Sequence, residues 1–169
     1  MSYKQDYTKY LREHIDNVQE AFEWLKKHKI YFKVDFGNMS LLEKNIANHD
    51  LSKWSDEEFE PYAKYFYQGK QNEKEFDKAW NHHQKTNPHH WQYWVLMKDN
   101  PTKEFECIPM GDEYIVEMIC DWWSFSFKEH KLENIFDWYD ENKKNIKFHP
   151  DTKKKVEKLL DAIKEELEK

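Results

Sequence analysis

A chain with three glycines and five prolines among 169 residues has few places to turn tightly. A strand-rich sandwich needs a turn roughly every 8–12 residues, so this scarcity favours long helices. The apolar pattern agrees. From about Asp6 to His28, the residues Tyr7, Leu11, Val18, Phe22 and Leu25 recur at steps of three, four and seven, which is one face of an α-helix. Charged residues (36%) nearly equal hydrophobic ones (38%), a balance that alone suggests disorder. The 17% aromatic content argues the other way, because disordered segments are poor in large rings. Eight Trp, ten Tyr and eleven Phe supply the buried area that scarce aliphatics do not. The expectation is an all-α bundle of about seven or eight helices, one domain over residues 1–169.

Further helices are predicted along the chain. Ser40 and Glu43 form a capping-box signal for a second helix, whose inward face carries Leu42, Ile46, His49 and Asp50. Ser55 and Glu58 give the same signal for a third, with Phe59, Tyr62, Ala63, Phe66 and Tyr67 as its stripe, ending near Gly69. A fourth covers roughly Glu73 to Gln84, with Phe76, Ala79, Trp80 and His83 aligned. Asn87 as cap and Pro88 in the first turn predict a fifth, on which His90, Trp94 and Met97 align. A loop is expected from Asn100 to Pro109. A sixth helix from about Asp112 to Phe127 carries Ile115, Met118, Ile119, Trp122 and Phe125 on its stripe. Leu132, Ile135, Phe136 and Tyr139 suggest a seventh, and Val156, Leu159, Leu160, Ile163 and Leu167 a last one after Pro150. The Lys- and Glu-rich face of that last helix reads as solvated surface.

Several function classes are disfavoured at once. A net charge of −6 argues against binding a nucleic-acid backbone. No apolar run is long enough to span a membrane, and the first residues, Met1 to Asp6, lack the apolar stretch of a signal peptide. Cys107 and Cys120 show no metal-knuckle spacing and no disulfide framework, and Cys120 reads as a small core thiol. A cytoplasmic location, in a bacterium or a phage-infected cell, is the expectation.

What the stripes carry is more informative. His14 sits on the apolar face of the first helix, the pair His49 and Asp50 ends the second, and Asp121 points into the face of the sixth. A lone inward histidine is usually a hydrogen-bonded core residue. Several inward imidazoles and carboxylates together are costly to bury unless they pair or bind a cation, and mixed N and O donors suit Mn, Fe, Ni, Co or Zn better than Ca. Four more histidines crowd positions 82, 83, 89 and 90.

The order His14, His49-Asp50, Asp121, with intervals of 35 and 71 residues, resembles the H…HD…D pattern of HD-domain metal-dependent phosphohydrolases, over about residues 10–127. The C-terminal helices, 130–168, are expected to pack on that core. The stretch from His49 to Lys53 resembles the HD-x-x-K variant, in which the lysine is held near the phosphate. The resemblance implies a divalent ion on His14, His49, Asp50 and Asp121. It also implies a second ion held by histidines between the HD pair and the last aspartate. His83 and His90 are the candidates because both fall on inward stripes, with Asp50 bridging; His82 and His89 are the neighbours expected to meet substrate or water. Pro88 leaves open which of each pair faces inward. The chain lacks the Gly-Tyr-Pro segment of the cyclic-dinucleotide class, and Lys53 stands where some nucleotidases carry an acid. The words from His82 to Trp91 and from Cys120 to Ser124 also resemble a family of bacteria and their phages to which no activity attaches.

The expected activity is hydrolysis of a phosphate ester or anhydride, of a nucleotide or a related small molecule, through a metal-activated water. Asp50 and Lys53 are the catalytic candidates, with Arg12 and Lys85 helping to hold phosphate. Trp91 and Trp123 fall off the apolar stripes and are candidates for stacking on a base, whereas Trp94 and Trp122 read as core. Two other classes remain: an HD-fold di-iron oxygenase, and a non-catalytic protein that binds and sequesters a nucleotide signal.

Overall fold

The computed structural model describes residues 2–69, 71–99 and 104–169. Among these, seven α-helices and one two-stranded hairpin form a helical bundle. Helix α1 (Tyr3–Lys27) starts at a reciprocal capping box: Ser2 accepts from the Gln5 backbone, and the Gln5 side chain accepts from Ser2. Its buried face reads Tyr7, Leu11, His14, Val18, Ala21, Phe22 and Leu25, so the stripe read from the sequence is the packed one. Helix α5 (Asp112–Lys128) lies along it as its most extensive partner. Helices α2 (Leu42–Ala47), α3 (Phe59–Tyr67) and α4 (Glu73–Thr86) close one side. Helices α6 (Asn134–Asn142) and α7 (Pro150–Leu167) pack on the other side of α5. No helix among the described residues is long and apolar enough to cross a membrane.

The apolar interior comes in two parts. The larger joins the C-terminal half of α1 to α5, α6 and α7 through Val18, Leu25, Ile119, Trp123, Leu159 and Ile163. The smaller lies between α1, α3 and α4 around Tyr7, Leu11, Tyr62, Ala63 and Ala79. His14 sits on α1 between Leu11 of one and Val18 of the other. A polar layer therefore separates the two cores at the level of His14.

Several local expectations are corrected. The Ser40 capping box does not form: α2 begins at Leu42, and the Ser40 amide instead donates to Asn38 Oδ1 at 3.0 Å, a turn that competes with helix entry. The helix also stops at Ala47, so His49 and Asp50 lie in the turn after it. Glu58 is not the third residue of a Ser55 box but the residue preceding α3, with its carboxylate buried. Phe66 and Tyr67, at the end of α3, are exposed.

No α-helix starts at Pro88. Asn87 caps the C-terminus of α4, its side chain donating to the His83 carbonyl (2.8 Å) and to Ser52 Oγ (2.7 Å). One 3-10 turn (Trp91–Trp94) then leads into strand β1 (Val95–Met97). It pairs antiparallel with β2 (Phe105–Cys107), Leu96 opposite Glu106, where a loop was expected. Residues 100–103 of that loop lie outside the described residues.

Candidate metal centre

The turn that ends α2 makes the centre. Asp50 adopts a left-handed backbone (φ 57°), a conformation an aspartate tolerates better than most side chains. The chain then winds through a 3-10 turn (Leu51–Trp54), which brings Lys53 back over Asp50, Nζ to Oδ2 2.7 Å. Both carboxylate oxygens are thereby committed inward, and Asp50 is almost fully buried.

Five histidines and a second aspartate converge there. His14 Nε2 lies 3.2 Å from Asp121 Oδ1 and 3.5 Å from Asp50 Oδ2. His49 Nε2 lies 3.6 Å from Asp121 Oδ1 and 3.7 Å from Asp50 Oδ1. His83 Nε2 and His89 Nε2 stand 3.3 and 3.4 Å from Asp50 Oδ1, the oxygen that His49 also approaches. His90 completes this second group, its ring 4.6 Å from that of His83 and 4.4 Å from that of His89. Two groups surround Asp50: His14, His49 and Asp121 in one, and His83, His89 and His90 with Asp50 in the other; a third grouping, His49, His89 and Glu117, shares their rings. Asp50 touches both.

The outer nitrogens fix the tautomers. His49 Nδ1 and His89 Nδ1 both donate to Glu117 Oε1, at 3.0 and 3.1 Å. His83 Nδ1 donates to Glu58 Oε2 at 2.7 Å. Ser124 Oγ gives its proton to the Asp121 carbonyl (2.7 Å), so it accepts from His14 Nδ1 at 3.1 Å. Each of these four rings therefore turns a bare Nε2 lone pair inward. Those lone pairs face carboxylate oxygens, acceptor against acceptor. The buried Nε2 atoms of His49, His83, His89 and His90, and Asp50 Oδ1, have no hydrogen-bond partner. Such inward-facing acceptors are costly to bury unless protons are shared among them or a cation lies between them, and the group could hold a metal ion. Ligand atoms about 2.1 Å from one ion lie roughly 3.0–3.5 Å apart in tetrahedral or octahedral geometry; the nitrogen–oxygen pairs here lie between 3.2 and 3.7 Å, and all atoms of one cluster within 4.8 Å of one another. The Nδ1 partners on Glu117, Glu58 and Ser124 are those a metal-bound imidazole needs to hold its tautomer. The donor set fits a divalent ion in each cluster.

With protons as the only cations, charges redistribute strongly. Burial opposes a charge on His14, but hydrogen bonds to Asp121 and Asp50 outweigh it and raise its pKa to about 9. The same opposition, overcome by Asp50, Asp121 and Glu117, puts His49 at about 9. His90 moves down, because burial and the neighbouring His89 and His83 all disfavour its charge. Burial works against ionised Asp50, yet Lys53 and His49 hold it well below the usual carboxylate range, as His14 and His49 do for Asp121. Lys53 stays raised despite burial because Asp50 and Asp121 face it.

The residues singled out in the sequence fall into three groups. His14, His49, Asp50, His83, His90, Asp121 and Lys53 are brought together. His89 is not at the periphery with substrate but inside the second cluster, because the chain after Asn87 turns instead of starting a helix. His82 stays outside it, its Nδ1 sharing Glu58 with His83 at 2.7 Å. Arg12 and Lys85 do not reach the centre. Each lies two positions from an inward histidine, about 200° around its helix, and is exposed. Trp123 is no stacking platform: it is fully buried, edge-on to Trp24 and Phe127, with Nε1 donating to the Leu132 carbonyl at 2.8 Å. Trp91, Trp94 and Trp122 are half-buried, packed against the larger core. Cys120 is a buried thiol, pushed well up by burial and by Glu117 and Asp121.

Glu58 and Glu117 were missed as parts of the centre. Glu117 had a signal, since it precedes Asp121 by one helical turn on α5. Glu58 had been assigned to a cap.

The fold and the site define a class: a helical protein with a buried, histidine-rich centre that could hold a metal ion. Residues 3–162 match the model described as "Family of unknown function (DUF5662)", and the chain belongs to that family. Neither curated proteins nor solved structures give a match.

Proposed function

We propose that this protein is a metal-dependent phosphohydrolase acting on a nucleotide or a related phosphate ester or anhydride. The observation that carries the reading is the half-buried Lys53 ammonium beside Asp50, the carboxylate that touches both clusters. Ions held there supply Lewis acidity and bring the ionisation of water near neutral pH. His14, His49 and Asp121 would hold one ion, and His83, His89 and His90 with Asp50 the other. At the accessible edge, where the Lys53 and Asp121 side chains keep 13% and 14% of their surface, Lys53 meets the phosphoryl oxygens. Its charge offsets the negative charge that grows as water oxygen bonds to phosphorus and the leaving oxygen departs. The Tyr62 ring, 5.5 Å below the ammonium, restricts where it points.

Elemental analysis of the purified protein, followed by phosphate release from a panel of nucleotides with added Mn, Ni and Co, tests this. Turnover should need the ion, and Lys53→Met should keep the metal while losing about 100-fold in kcat. Metal-loaded protein that releases no phosphate from any of them overturns the reading. The nitrogen-rich donor set, five imidazoles to two carboxylates, also suits iron, the ground for a di-iron oxygenase as second reading. Iron with a visible absorbance band and oxygen consumption would decide for it. Tight nucleotide binding without turnover would leave a sequestering protein.

A further inference from the structure

We infer that a tryptophan-walled groove beside the second histidine cluster is the subsite for the base of the substrate nucleotide. This rests on the phosphohydrolase reading and assigns the end of the substrate away from the reacting phosphate. Trp80, Trp91, Trp122 and Trp138 line the groove, whose volume is about 280 Å³. Small-ligand sites run from roughly 300 to 1,000 Å³, so this groove is at the small end, a size that suits one base or nucleoside.

The lining chemistry selects the ligand. Among the described residues none of Lys, Arg, Asp or Glu faces the groove, so it offers nothing to a phosphate. It offers indole faces instead: Trp122 and Trp138 lie 4.9 Å apart with planes inclined by 46°. Side-chain amides of Gln92, Asn142 and Asn145 stand among the rings. Gln92 Oε1 is buried without a hydrogen-bond partner, an acceptor in want of a donor. Flat π surfaces with a few amides suit a heteroaromatic ring bearing N–H groups, which is a nucleobase.

The position of the groove links it to the metal centre. His90 lines the groove and belongs to the cluster around Asp50, with Trp80 edge-on to its ring at 5.2 Å and 82°. Trp122 directly follows Asp121, whose carboxylate is the partly accessible one of the first cluster. A base stacked against the tryptophan faces would therefore lie beside His90 and the second cluster.

Calorimetric titration of the metal-loaded protein with adenosine, guanosine, cytidine and uridine tests the inference, because these ligands carry no phosphate. Ribose 5-phosphate, which has no base, is the control. Trp138 is the residue to truncate, since 38% of its surface is already exposed. At least one nucleoside should bind, and Trp138→Ala and Trp91→Ala should each weaken it about tenfold. Ribose 5-phosphate affinity should stay unchanged. In turnover of the matching nucleotide, KM should rise by a similar factor while kcat holds. Nucleotide hydrolysis by a protein that binds no nucleoside, or that ignores both truncations, overturns the subsite and leaves the phosphohydrolase reading intact. Nucleoside binding that depends on Trp138, in a protein that hydrolyses no nucleotide, upholds the subsite and overturns that reading.

Discussion

Replacing Glu117 with Gln separates the charge of this buried acid from its shape. One oxygen, Oε1, receives both His49 Nδ1 and His89 Nδ1. A glutamine amide oxygen in the same place keeps both hydrogen bonds, so the tautomers and ring positions survive while the negative charge goes. A hydrogen bond to a charged group contributes about 1 kcal/mol more than a neutral one. His49 belongs to the first cluster and His89 to the second, so each ion loses about that much, roughly fivefold in affinity, or about thirtyfold for the pair. Glu117→Leu also removes the acceptor, frees both rings to turn, and should reach the upper part of the roughly 10–100-fold range seen when such outer partners are lost. The assay is competition against a chromogenic chelator, using the metal that purifies with the protein, with circular dichroism to show that the helices persist. If the Leu variant binds both ions within about twofold of wild type while folded, Glu117 does not support the ligands and the inward lone-pair argument fails; the same result with Gln alone removes only the contribution of the charge.

Removing the ions should cost stability. An ion present at about 1,000 times its Kd stabilises by about 4 kcal/mol, which for a chain of this size lowers Tm by roughly 8–16 °C on chelation. In the chelated protein the raised His14 and His49 contribute stability that is present below the unfolded value near 6.5 and lost as pH rises toward about 9. Metal binding needs those rings neutral and so strengthens over the same window; the Tm gap between loaded and chelated protein should therefore widen from pH 6.5 to 9, and a gap that narrows refutes the assignment. Replacing His83 and His90 together with Ala should halve the bound metal and leave the His14 cluster filled; unchanged metal content with weakened nucleotide binding would make the second cluster a phosphate site. Trp123→Ala should cost about 3–5 kcal/mol in urea unfolding, and more than Trp138→Ala, since 38% of the Trp138 surface is already exposed whereas Trp123 is fully buried.

The helical frame was legible because burial follows a period of 3.6 residues. On α1 every apolar position of the stripe is buried, and His14 with them. Where the reading went wrong, local signals met stronger tertiary ones. Pro88 and Asn87 have the chemistry of a helix start, but Asn87 is used by α4 and Ser52, and Trp94 Nε1 reaches back to the Pro88 carbonyl at 2.7 Å. Trp122 and Trp123 exchanged roles for another reason. Helix α5 has neighbours on several sides and is buried on most of its circumference, so a single stripe cannot rank two adjacent tryptophans.

The centre was legible in its inward-facing histidines and aspartates and illegible in its acids of the second layer. An imidazole on an apolar stripe is anomalous and draws notice, whereas Glu117 and Glu58 resemble the many glutamates that face solvent. Only the fold reveals that Glu117 is buried against two rings and Glu58 against His83. Yet those acids decide what the site is. Without them each Nε2 could carry the proton and satisfy a carboxylate directly, and the cluster would be an ordinary buried hydrogen-bond network. Because Glu117 and Glu58 claim the Nδ1 protons, and Ser124 that of His14, the inward atoms are left as acceptors facing acceptors. Such a network is half-satisfied by its own residues and completed only by added positive charge, which protons supply partly and divalent ions fully.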